Sequence, residues 1–436
     1  MIRFLTYVLI AIGTFLVGLG LSFLATSAQR GGEQLARFWR DAITQSVTGN
    51  TGWARAGKDA ANTAPPAHDP KTVGQQDDVR PILPRDLVAI VDQELSLYFD
   101  GLVLARDPEE YRFAIEDDGL GGMMERRRWH LTPRAKQIGL HRLVVTVSDW
   151  NGKRLADGST SLHVVAPGPV ARRANILIVG GSNTHQSLYM NLLWTLLDTW
   201  SPGKVRFIGT HRPKPDRAIY REPLPQVAHE GYGGWGWHLF ATHYLPGQEA
   251  YYKVPRSPFV YLEGGKPTLS VGRYLDERGI RGALDAVVFD LGINETFSAN
   301  PDDPPSLDAT IRSTLDWADK LIQAFRVAAP EAKVVIVIPT PFTRSEPVFR
   351  RRYAEIRSDF GDPWRHRRIV ETLARRMVEH FDGHDPAVTL IPMHAMFDTV
   401  DGYWVVDPGH PNEQGGKQMA AGIFATLADV LSRRTR

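Results

Sequence analysis

The chain has 436 residues, with 51 basic and 49 acidic side chains and no cysteine. That length is too great for one ordinary hydrophobic core and predicts two folded domains with additional segments. The balanced charge argues against a nucleic-acid partner, and the absence of cysteine excludes disulfides, a cysteine nucleophile and thiolate metal sites. The arginines at 350–352 and 365–368 lie among acidic residues, so we expect them on solvated helix faces.

The N-terminus carries an uncharged run, residues 4–25, which is long enough to cross about 30 Å of hydrocarbon as a helix. Residues 1–30 are therefore predicted to be a transmembrane anchor or a signal peptide, with Thr26-Ser27-Ala28 as the cleavage site in the second case. We expect a membrane-anchored protein whose folded part is periplasmic or extracellular, or a secreted one if residues 1–28 are removed. Residues 31–83, with prolines among small and polar residues, predict a juxtamembrane linker that is partly disordered.

Residues 84–167 form a series of short runs of branched and aromatic residues. Trp150-Asn151-Gly152-Lys153 supplies an Asn-Gly turn between two of these runs. The spacing predicts a small antiparallel β-sandwich, acting either as a spacer or carbohydrate-contacting module or as a plain packing partner. Met123-Met124 is expected in its core. The predicted strands are 87–91, 95–99, 111–115, 129–132, 143–147 and 162–165.

From residue 174 onward, buried-strand patterns alternate with helical ones. Strands separated by helices of this length predict a parallel sheet covered on both faces, with reactive groups gathered at the carboxyl ends of the strands. The predicted strands are 175–179, 205–208, 286–291, 334–338 and 388–391. The predicted helices are 188–200 and the periodic segments 311–325, 369–381 and 419–431.

Three loops of this region carry candidate polar groups: one after the first strand, one after the 286–291 strand and one just before the last helix. In Asp407-Pro408-Gly409-His410-Pro411 a carboxylate precedes an imidazole by three residues, and Pro and Gly favour a turn over a helix or strand. Such a turn lets Asp407 orient one nitrogen of His410, leaving the other to take a proton from a hydroxyl. Ser182, which follows the first strand, is the candidate hydroxyl, and Asn294 follows the 286–291 strand.

Four segments resemble, in order, the sequence blocks of the SGNH (GDSL) hydrolases, in their carbohydrate-esterase-like branch. Gly180-Gly181-Ser182-Asn183-Thr184 is similar to the first block, usually Gly-Asp-Ser-Leu-Thr. His229-Glu230-Gly231-Tyr232-Gly233-Gly234-Trp235 is similar to the second, and Leu291-Gly292-Ile293-Asn294-Glu295 to the third. Asp407-Pro408-Gly409-His410-Pro411 is similar to the fifth. The agreement covers about residues 174–433 and leaves the linker and the β-sandwich outside.

The resemblance implies a flavodoxin-like three-layer α/β domain over 174–433 and ester hydrolysis through an acyl-enzyme, with no metal and no cofactor. It implies Ser182 as nucleophile, His410 as base and Asp407 as its orienter. The oxyanion hole would consist of the backbone N–H groups of Ser182 and Gly231 and the side-chain amide of Asn294.

Some positions stay open or depart from the family pattern. Gly233 is the alternative to Gly231 as the residue whose main chain approaches the substrate. Gly181 replaces the usual Asp of the first block, and Glu295 the usual Asp after the block-three Asn. His229 and Trp235 are predicted to contact substrate, with a structural histidine and a core tryptophan as the alternatives.

The predicted function is therefore an exported serine esterase that removes short acyl groups, acetyl above all, from a polysaccharide or glycoconjugate. One alternative is an O-acetyltransferase that uses the same triad on a cell-envelope or secreted polysaccharide. Another is a non-catalytic carbohydrate-binding protein on a hydrolase scaffold. The expected partners are an acylated carbohydrate or other small ester, and the membrane through the N-terminal helix.

Overall fold

The computed structural model describes residues 77–215, 217–245, 254–353 and 362–433. The predicted anchor, and the predicted linker as far as residue 76, lie outside these ranges. Within them, no helix combines the length and apolar character needed to cross a membrane. The two predicted domains, 84–167 and 174–433, belong to one compact unit, Gly74–Arg436, and are called the β region and the α/β region below.

The β region contains two sheets. Four strands lie in the order β1-β7-β6-β3 and three in the order β2-β5-β4. The pairings are antiparallel as predicted, except that β1 runs parallel to β7. The elements are β1 (Asp86–Ile90), β2 (Leu95–Tyr98), α1 (Phe99–Leu102), β3 (Arg112–Glu116), β4 (Met123–Met124), β5 (Arg128–Leu131), β6 (Gly139–Ser148) and β7 (Arg154–Val165).

One core lies between the two sheets of the β region. Leu97 and Trp129 of one sheet and Val145 and Leu162 of the other are fully buried in it. The prediction that Met123-Met124 joins this core was wrong, because the two side chains are 60% and 45% exposed on the short strand β4.

The α/β region alternates strands with helices over the segments predicted from periodicity. Its elements are β8 (Ala174–Gly180), α2 (Ser182–His185), α3 (Leu188–Trp200), β9 (Val205–Ile208), β10 (Glu230–Gly231), α4 (Trp237–Thr242), β11 (Val260–Glu263), β12 (Lys266–Leu269), α5 (Val271–Glu277), β13 (Leu284–Asp290), α6 (Ile293–Thr296), α7 (Pro304–Ala328), β14 (Lys333–Val337), α8 (Glu346–Tyr353), α9 (Pro363–Phe381), β15 (Val388–Ile391), α10 (Met393–Met396), β16 (Tyr403–Trp404), β17 (Asp407–Pro411) and α11 (Glu413–Arg433).

The central sheet is parallel throughout. Strand β8 pairs with β13 on one side, and β13 is followed by β14 and β15. On its other side β8 pairs first with β9 and then, over its last two residues, with β10. Taken in chain order the five positions read 2-1-3-4-5, the order of flavodoxin-like sheets. All residues of β8 and β13 are buried, which explains their continuous apolar sequence.

Helices cover both faces of this sheet, as predicted. Val179 and Phe289 point into a core shared with α7 and α9. Ile178 and Val288 point into the opposite core, with α3 and α11. Helices α7 and α9 begin alike, each with proline at its first position and an Asp cap that accepts a main-chain N–H.

The β region packs against the α/β region through α1. Arg367 of α9 donates hydrogen bonds to the main-chain oxygens of Asp100, Ala105 and Arg106. Its guanidinium also donates to the fully buried Glu371 at 3.0 Å. The prediction of a solvated helix face was wrong at Arg367 and at Arg368, which are 3% and 9% exposed.

Candidate active site

Ser182 lies at the switch point of the sheet, where the chain order reverses between β8 and β13, the place where open α/β sheets bind ligands. Strand β8 ends at Gly180, and Ser182 is the first residue of α2. A side chain at residue 180 would collide with Thr184, so glycine is needed for α2 to fold back over the strand end. Ser182 is half-buried.

Asp290, at the carboxyl end of β13, supports this turn. Tyr189 lies with its hydroxyl 2.7 Å from Thr184 Oγ1, which donates to Asp290 Oδ2 at 3.2 Å. Burial raises the pKa of Asp290 to about 6, although its hydrogen bonds with Thr184 and Tyr189 act in the opposite direction. Asp290 lines a small cavity together with Ser182. Sequence reasoning missed this residue, although its place at the end of a buried strand marked it.

Asp407 and His410 lie together on β17. His410 Nδ1 is 2.8 Å from Asp407 Oδ1, and the same oxygen accepts the N–H of Gly409 at 3.1 Å. Burial opposes ionisation of Asp407, but His410 and these hydrogen bonds outweigh it and lower the pKa of the carboxyl. Arg217 Nη1 lies 3.8 Å from Asp407 Oδ2.

The predicted turn at 407–410 was wrong. This segment is an extended strand that pairs antiparallel with Tyr403–Trp404, and the reversal falls at residues 405 and 406 instead. The register of β17 contains an irregularity beside Trp404. The Asp407 carboxylate reaches His410 from this irregular strand.

Helix α2 and strand β17 contact each other, which brings the segments of Ser182 and His410 side by side. The buried side chain of Gln186 links them: its Nε2 donates to the main-chain oxygen of Pro411 at 3.0 Å and to that of Ile219 at 2.9 Å. Neither Ser182 Oγ nor His410 Nε2 has a hydrogen-bond partner among the residues described. Hydrogen bonds of catalytic groups often tighten only once substrate is bound.

Asn294, on α6 just after strand β13, approaches Gly181, the residue before Ser182. Its Nδ2 donates to the main-chain oxygen of Trp235 at 2.7 Å, which fixes the direction of the amide. A Cβ atom at residue 181 would lie 2.8 Å from the same nitrogen. The departure at Gly181 thus has a structural reason, because a side chain there would push Asn294 aside.

The loop that contains the second block, residues 229–235 (the block-two loop), has both engaged and unpaired main-chain N–H groups. Gly231 donates to His229 Nδ1 at 3.0 Å, and Tyr232 donates to the main-chain oxygen of Gly180 at 3.0 Å. The N–H of Gly233 has no partner in the described part of the chain. The N–H of Gly231 is therefore already engaged, and Gly233 offers the unpaired donor.

The two predicted substrate contacts are buried. His229 is 0% exposed and Trp235 is 1% exposed. The Trp235 ring packs against Tyr232 and Phe240, with ring centroids 4.8 and 5.1 Å away. Neither ring is accessible to a sugar, so both predictions are corrected: His229 supports the loop through Gly231, and Trp235 belongs to the core.

A buried histidine cluster lies behind the loop. His211 Nε2 is 3.1 Å from His185 Nδ1. His229 accepts at Nδ1, so Nε2 carries its proton and donates to Ser187 Oγ at 3.2 Å. Burial, assisted by His185, lowers the pKa of His211 to about 4, and burial lowers that of His229 well below its ordinary value. Both rings are neutral at pH 7; sequence spacing gave no indication that His211 joins this cluster.

Glu295, the second departure from the family pattern, packs against the residues that follow the block-two loop. Its Oε1 accepts the N–H of His238 at 3.3 Å, and the carboxylate occupies the space that a side chain at Gly236 would fill. Burial raises the pKa of Glu295. The longer carboxylate therefore fits because residue 236 is glycine.

These groups form an arrangement for nucleophilic catalysis. A hydroxyl, an oriented imidazole and amide donors lie along the carboxyl ends of β8 and β13 and on the adjoining β17. Among the described residues no cluster of His, Asp or Glu is arranged to hold a metal ion.

Comparison with solved structures finds similarity to esterases. A carbohydrate esterase family 3 protein from Talaromyces cellulolyticus is 17% identical, over 60% of this chain and 99% of its own, at a TM-score of 0.39. Est24, a carbohydrate acetylesterase from Sinorhizobium meliloti, is 12% identical, over 59% of this chain and 99% of its own, at a TM-score of 0.32. A carbohydrate esterase family 2 enzyme with a carbohydrate binding domain, from Corynascus thermopiles, is 16% identical, over 78% and 93%, at a TM-score of 0.33.

No family model matches the chain, and no curated protein matches it. At such identities and TM-scores, the solved structures carry no reaction or substrate over to this chain. Its chemistry has to follow from its own residues.

Proposed function

We propose that this chain is a serine esterase of the SGNH type that removes short acyl groups, acetyl above all, from a polysaccharide or glycoconjugate. The observation that carries the proposal is the hydrogen-bonded pair of His410 and Asp407 on the strand that contacts the Ser182 helix. A serine hydroxyl is a weak nucleophile until a base removes its proton, and an oriented imidazole is the usual base.

In the acylation step, Ser182 Oγ attacks the ester carbonyl carbon and His410 Nε2 takes its proton. Asp407 holds the imidazole through Nδ1 and stabilises the imidazolium that forms. The tetrahedral intermediate then collapses, the sugar oxygen leaves with the proton from His410, and the acyl group stays on Ser182.

In the deacylation step, His410 takes a proton from water and the resulting nucleophile attacks the acyl carbon. The carboxylic acid leaves and the proton returns to Ser182 Oγ. Donors for the negative charge of both intermediates are the N–H of Ser182, the amide of Asn294 and the N–H of Gly233. We assign Gly233 in place of Gly231, because the latter already donates to His229. Each such donor lowers the barrier by about 2.7–4 kcal/mol.

The carbohydrate substrate is supported by the form of the second block, His229-Glu230-Gly231-Tyr232-Gly233-Gly234-Trp235. Export and membrane attachment are supported by the uncharged run at 4–25. We propose that this run anchors the protein with its catalytic part outside the cytoplasm. Membrane fractionation of the full chain and of a form without residues 1–30 tests the anchor. The full chain should be found in the membrane fraction, and the shorter form should not.

Hydrolysis of p-nitrophenyl acetate by the full chain tests the reaction. Ser182→Ala and His410→Ala should each lower kcat/KM by about 10³-fold or more. Matched controls are Ser306→Ala, an exposed serine, and His380→Ala, whose Nε2 lies 2.9 Å from Asp319 on the surface. Equal activity of Ser182→Ala and its control would refute the proposal. A sugar acceptor that receives the acetyl group while free acetate does not accumulate would identify an acetyltransferase instead.

A further inference from the structure

A cleft of 570 Å³ lies where the β region meets the loop after β14. Its volume is within the range of ligand-binding clefts. Its walls combine aromatic, cationic and carboxylate side chains, among them Asp100, Phe113, Arg126, Trp150 and Arg344.

One wall of the cleft carries large apolar side chains that are exposed to solvent. Trp150, at the tip of the β6–β7 hairpin, is 66% exposed, and Met124 beside the same cleft is 45% exposed. The Arg112 guanidinium lies over the Trp150 ring, 5.7 Å from its centre, and the side chain is still 66% exposed. Trp150 and Met124 lie together on the wall of this cleft, and the flat apolar face of the indole suits the C–H face of a sugar ring.

The polar wall contains an unsatisfied acceptor and an unpaired donor. Asp100 is 6% exposed; its Oδ2 accepts the hydroxyl of Thr399, while its buried Oδ1 has no partner. Buried oxygens without partners are rare in folded proteins. Arg126 is exposed and makes no ion pair within the described ranges. Arg126, unlike the buried Asp100, is accessible and can bind a carboxylate.

Two other arginines of the cleft are already neutralised. Arg344 forms a two-pronged ion pair with Glu109, at 2.9 and 3.0 Å, and Arg127 binds Asp398 at 2.6 Å. The cationic character available to a ligand therefore comes from Arg126, and from Arg112 beside the tryptophan.

The cleft is joined to the candidate active site by one short segment. Thr340 lines the small cavity that contains Ser182, and Arg344 lines the cleft. Between them, Thr343 donates its N–H to the main-chain oxygen of Pro408 at 3.0 Å, two residues before His410. Because a fully extended chain advances at most about 3.6 Å per residue, the Cα atoms of Thr340 and Arg344 are within about 14 Å.

We propose that this cleft binds sugar units of the acylated polysaccharide at a distance from the ester under attack, and that it selects a chain with acidic sugars. The inference rests on the proposed esterase function. Trp150 stacks on a sugar ring, and Arg126 pairs with a uronic-acid carboxylate. The β region is then a substrate-binding part of the enzyme, because it holds the chain while Ser182 acts on it.

The test measures binding of an acetylated oligogalacturonide and, as the neutral probe, an acetylated xylo-oligosaccharide. The full chain carrying Ser182→Ala is used, so that no probe is hydrolysed. In that background Trp150→Ala should weaken binding of both probes by about tenfold, and Trp150→Phe should restore most of it. Arg126→Ala should weaken the acidic probe by about tenfold and the neutral probe little. Leu140→Ala, an equally exposed side chain of the same region, and Arg134→Ala, an exposed arginine, are the controls and should change neither.

Binding that Trp150→Ala and Arg126→Ala leave unchanged would overturn the inference, as would a failure of both probes to bind. Equal affinity for the two probes would remove the acidic selectivity. These outcomes are separate from the proposed function, because loss of p-nitrophenyl acetate hydrolysis in Ser182→Ala establishes the esterase whether or not the cleft binds sugar.

Discussion

The side-chain amide of Gln186 donates a hydrogen bond to the main-chain oxygen of Pro411 at 3.0 Å. Gln186 follows Ser182 at the end of α2, and Pro411 follows His410 on β17. One buried amide therefore sets the spacing between the segment of the candidate nucleophile and that of the candidate base. The sequence separation of the two residues is 225, so no local pattern could have indicated the contact.

Replacing Gln186 by leucine should lower kcat more than it changes KM. The substitution leaves two buried main-chain oxygens, of Ile219 and Pro411, without their donor, and the segments can then move relative to each other. A displacement of about 1 Å between reacting groups can cost about 10²-fold in rate. We expect a decrease in kcat of about 10- to 100-fold on p-nitrophenyl acetate, with KM within about threefold of the parent.

The control for this prediction is Gln137→Leu. Gln137 Nε2 also donates to a main-chain oxygen, that of Leu120, but in the β region. A comparable fall in kcat in both variants, or a change confined to KM for Gln186→Leu, would show that Gln186 does not position the two catalytic segments.

Adding a methyl group at Gly181 should disturb Asn294. The new Cβ would lie 2.8 Å from Asn294 Nδ2 and 3.3 Å from the main-chain oxygen of Trp235, between the two partners of one hydrogen bond. We expect Gly181→Ala to lower kcat by about 10- to 100-fold, less than or equal to the loss from removing an oxyanion donor. Gly168→Ala is the control, because nothing lies within 4 Å of its added Cβ.

A double-mutant cycle separates this mechanism from general damage. If Gly181→Ala acts by displacing the amide, it should cost little in a protein that already carries Asn294→Ala. Full additivity of the two changes would mean that the methyl group acts elsewhere, for instance on the N–H of Ser182.

Replacing Asp290 by asparagine should change the pH dependence of stability. Burial raises the pKa of Asp290 to about 6, against about 3.9 in an unfolded chain. Between these values the folded chain keeps a proton that the unfolded chain has lost, so the free energy of unfolding falls as pH rises, by about 3 kcal/mol in total. Asp290→Asn does not ionise and should escape this loss.

The measurement is the free energy of unfolding in urea at about pH 3.5 and about pH 7.5. The free energy of unfolding of Asp290→Asn, taken relative to that of the parent, should be about 3 kcal/mol more favourable at the higher pH than at the lower pH. Asp276→Asn, which changes a surface carboxylate that is 50% exposed, is the control. A difference independent of pH would show that Asp290 titrates normally.

Sequence patterns predicted most of the fold and only part of the candidate site. The central strands were found because burial on both faces makes them continuous apolar runs, as in β8 and β13. The block-two strand, Glu230–Gly231, was missed because it has two residues and forms only by pairing with the end of β8. The burial of Trp235 was left open, because sequence does not show which face of a glycine-rich loop turns toward the core.

The roles of Gly181 and Glu295 show the same limit. Each departs from the family pattern, and the sequence alone did not show which other residue accommodates the change. The compensation is a matter of space: Asn294 approaches where residue 181 has no side chain, and the Glu295 carboxylate fills the place left by Gly236. Such pairs are separated by over fifty positions in the chain and are set by tertiary packing, which periodicity does not report.

Replacing Arg367 by methionine should destabilise the protein strongly, because it would leave the buried carboxyl group of Glu371 without a hydrogen-bond donor. Burial raises the pKa of Glu371 to about 8, although Arg367 acts in the opposite direction. The two side chains are 4% and 0% exposed, and Arg367 also holds three main-chain oxygens of the β region. Each buried polar group left without its hydrogen-bond partner costs about 1–3 kcal/mol, so the total loss should be about 3 kcal/mol or more. Arg376→Met, on the same helix but at an exposed ion pair, should cost within about 1 kcal/mol. Because the unpaired Glu371 carboxyl group causes part of the loss, Arg367→Met with Glu371→Leu should be more stable in urea than Arg367→Met alone. A double variant no more stable than the single one would place the cost in the lost contacts with the β region instead.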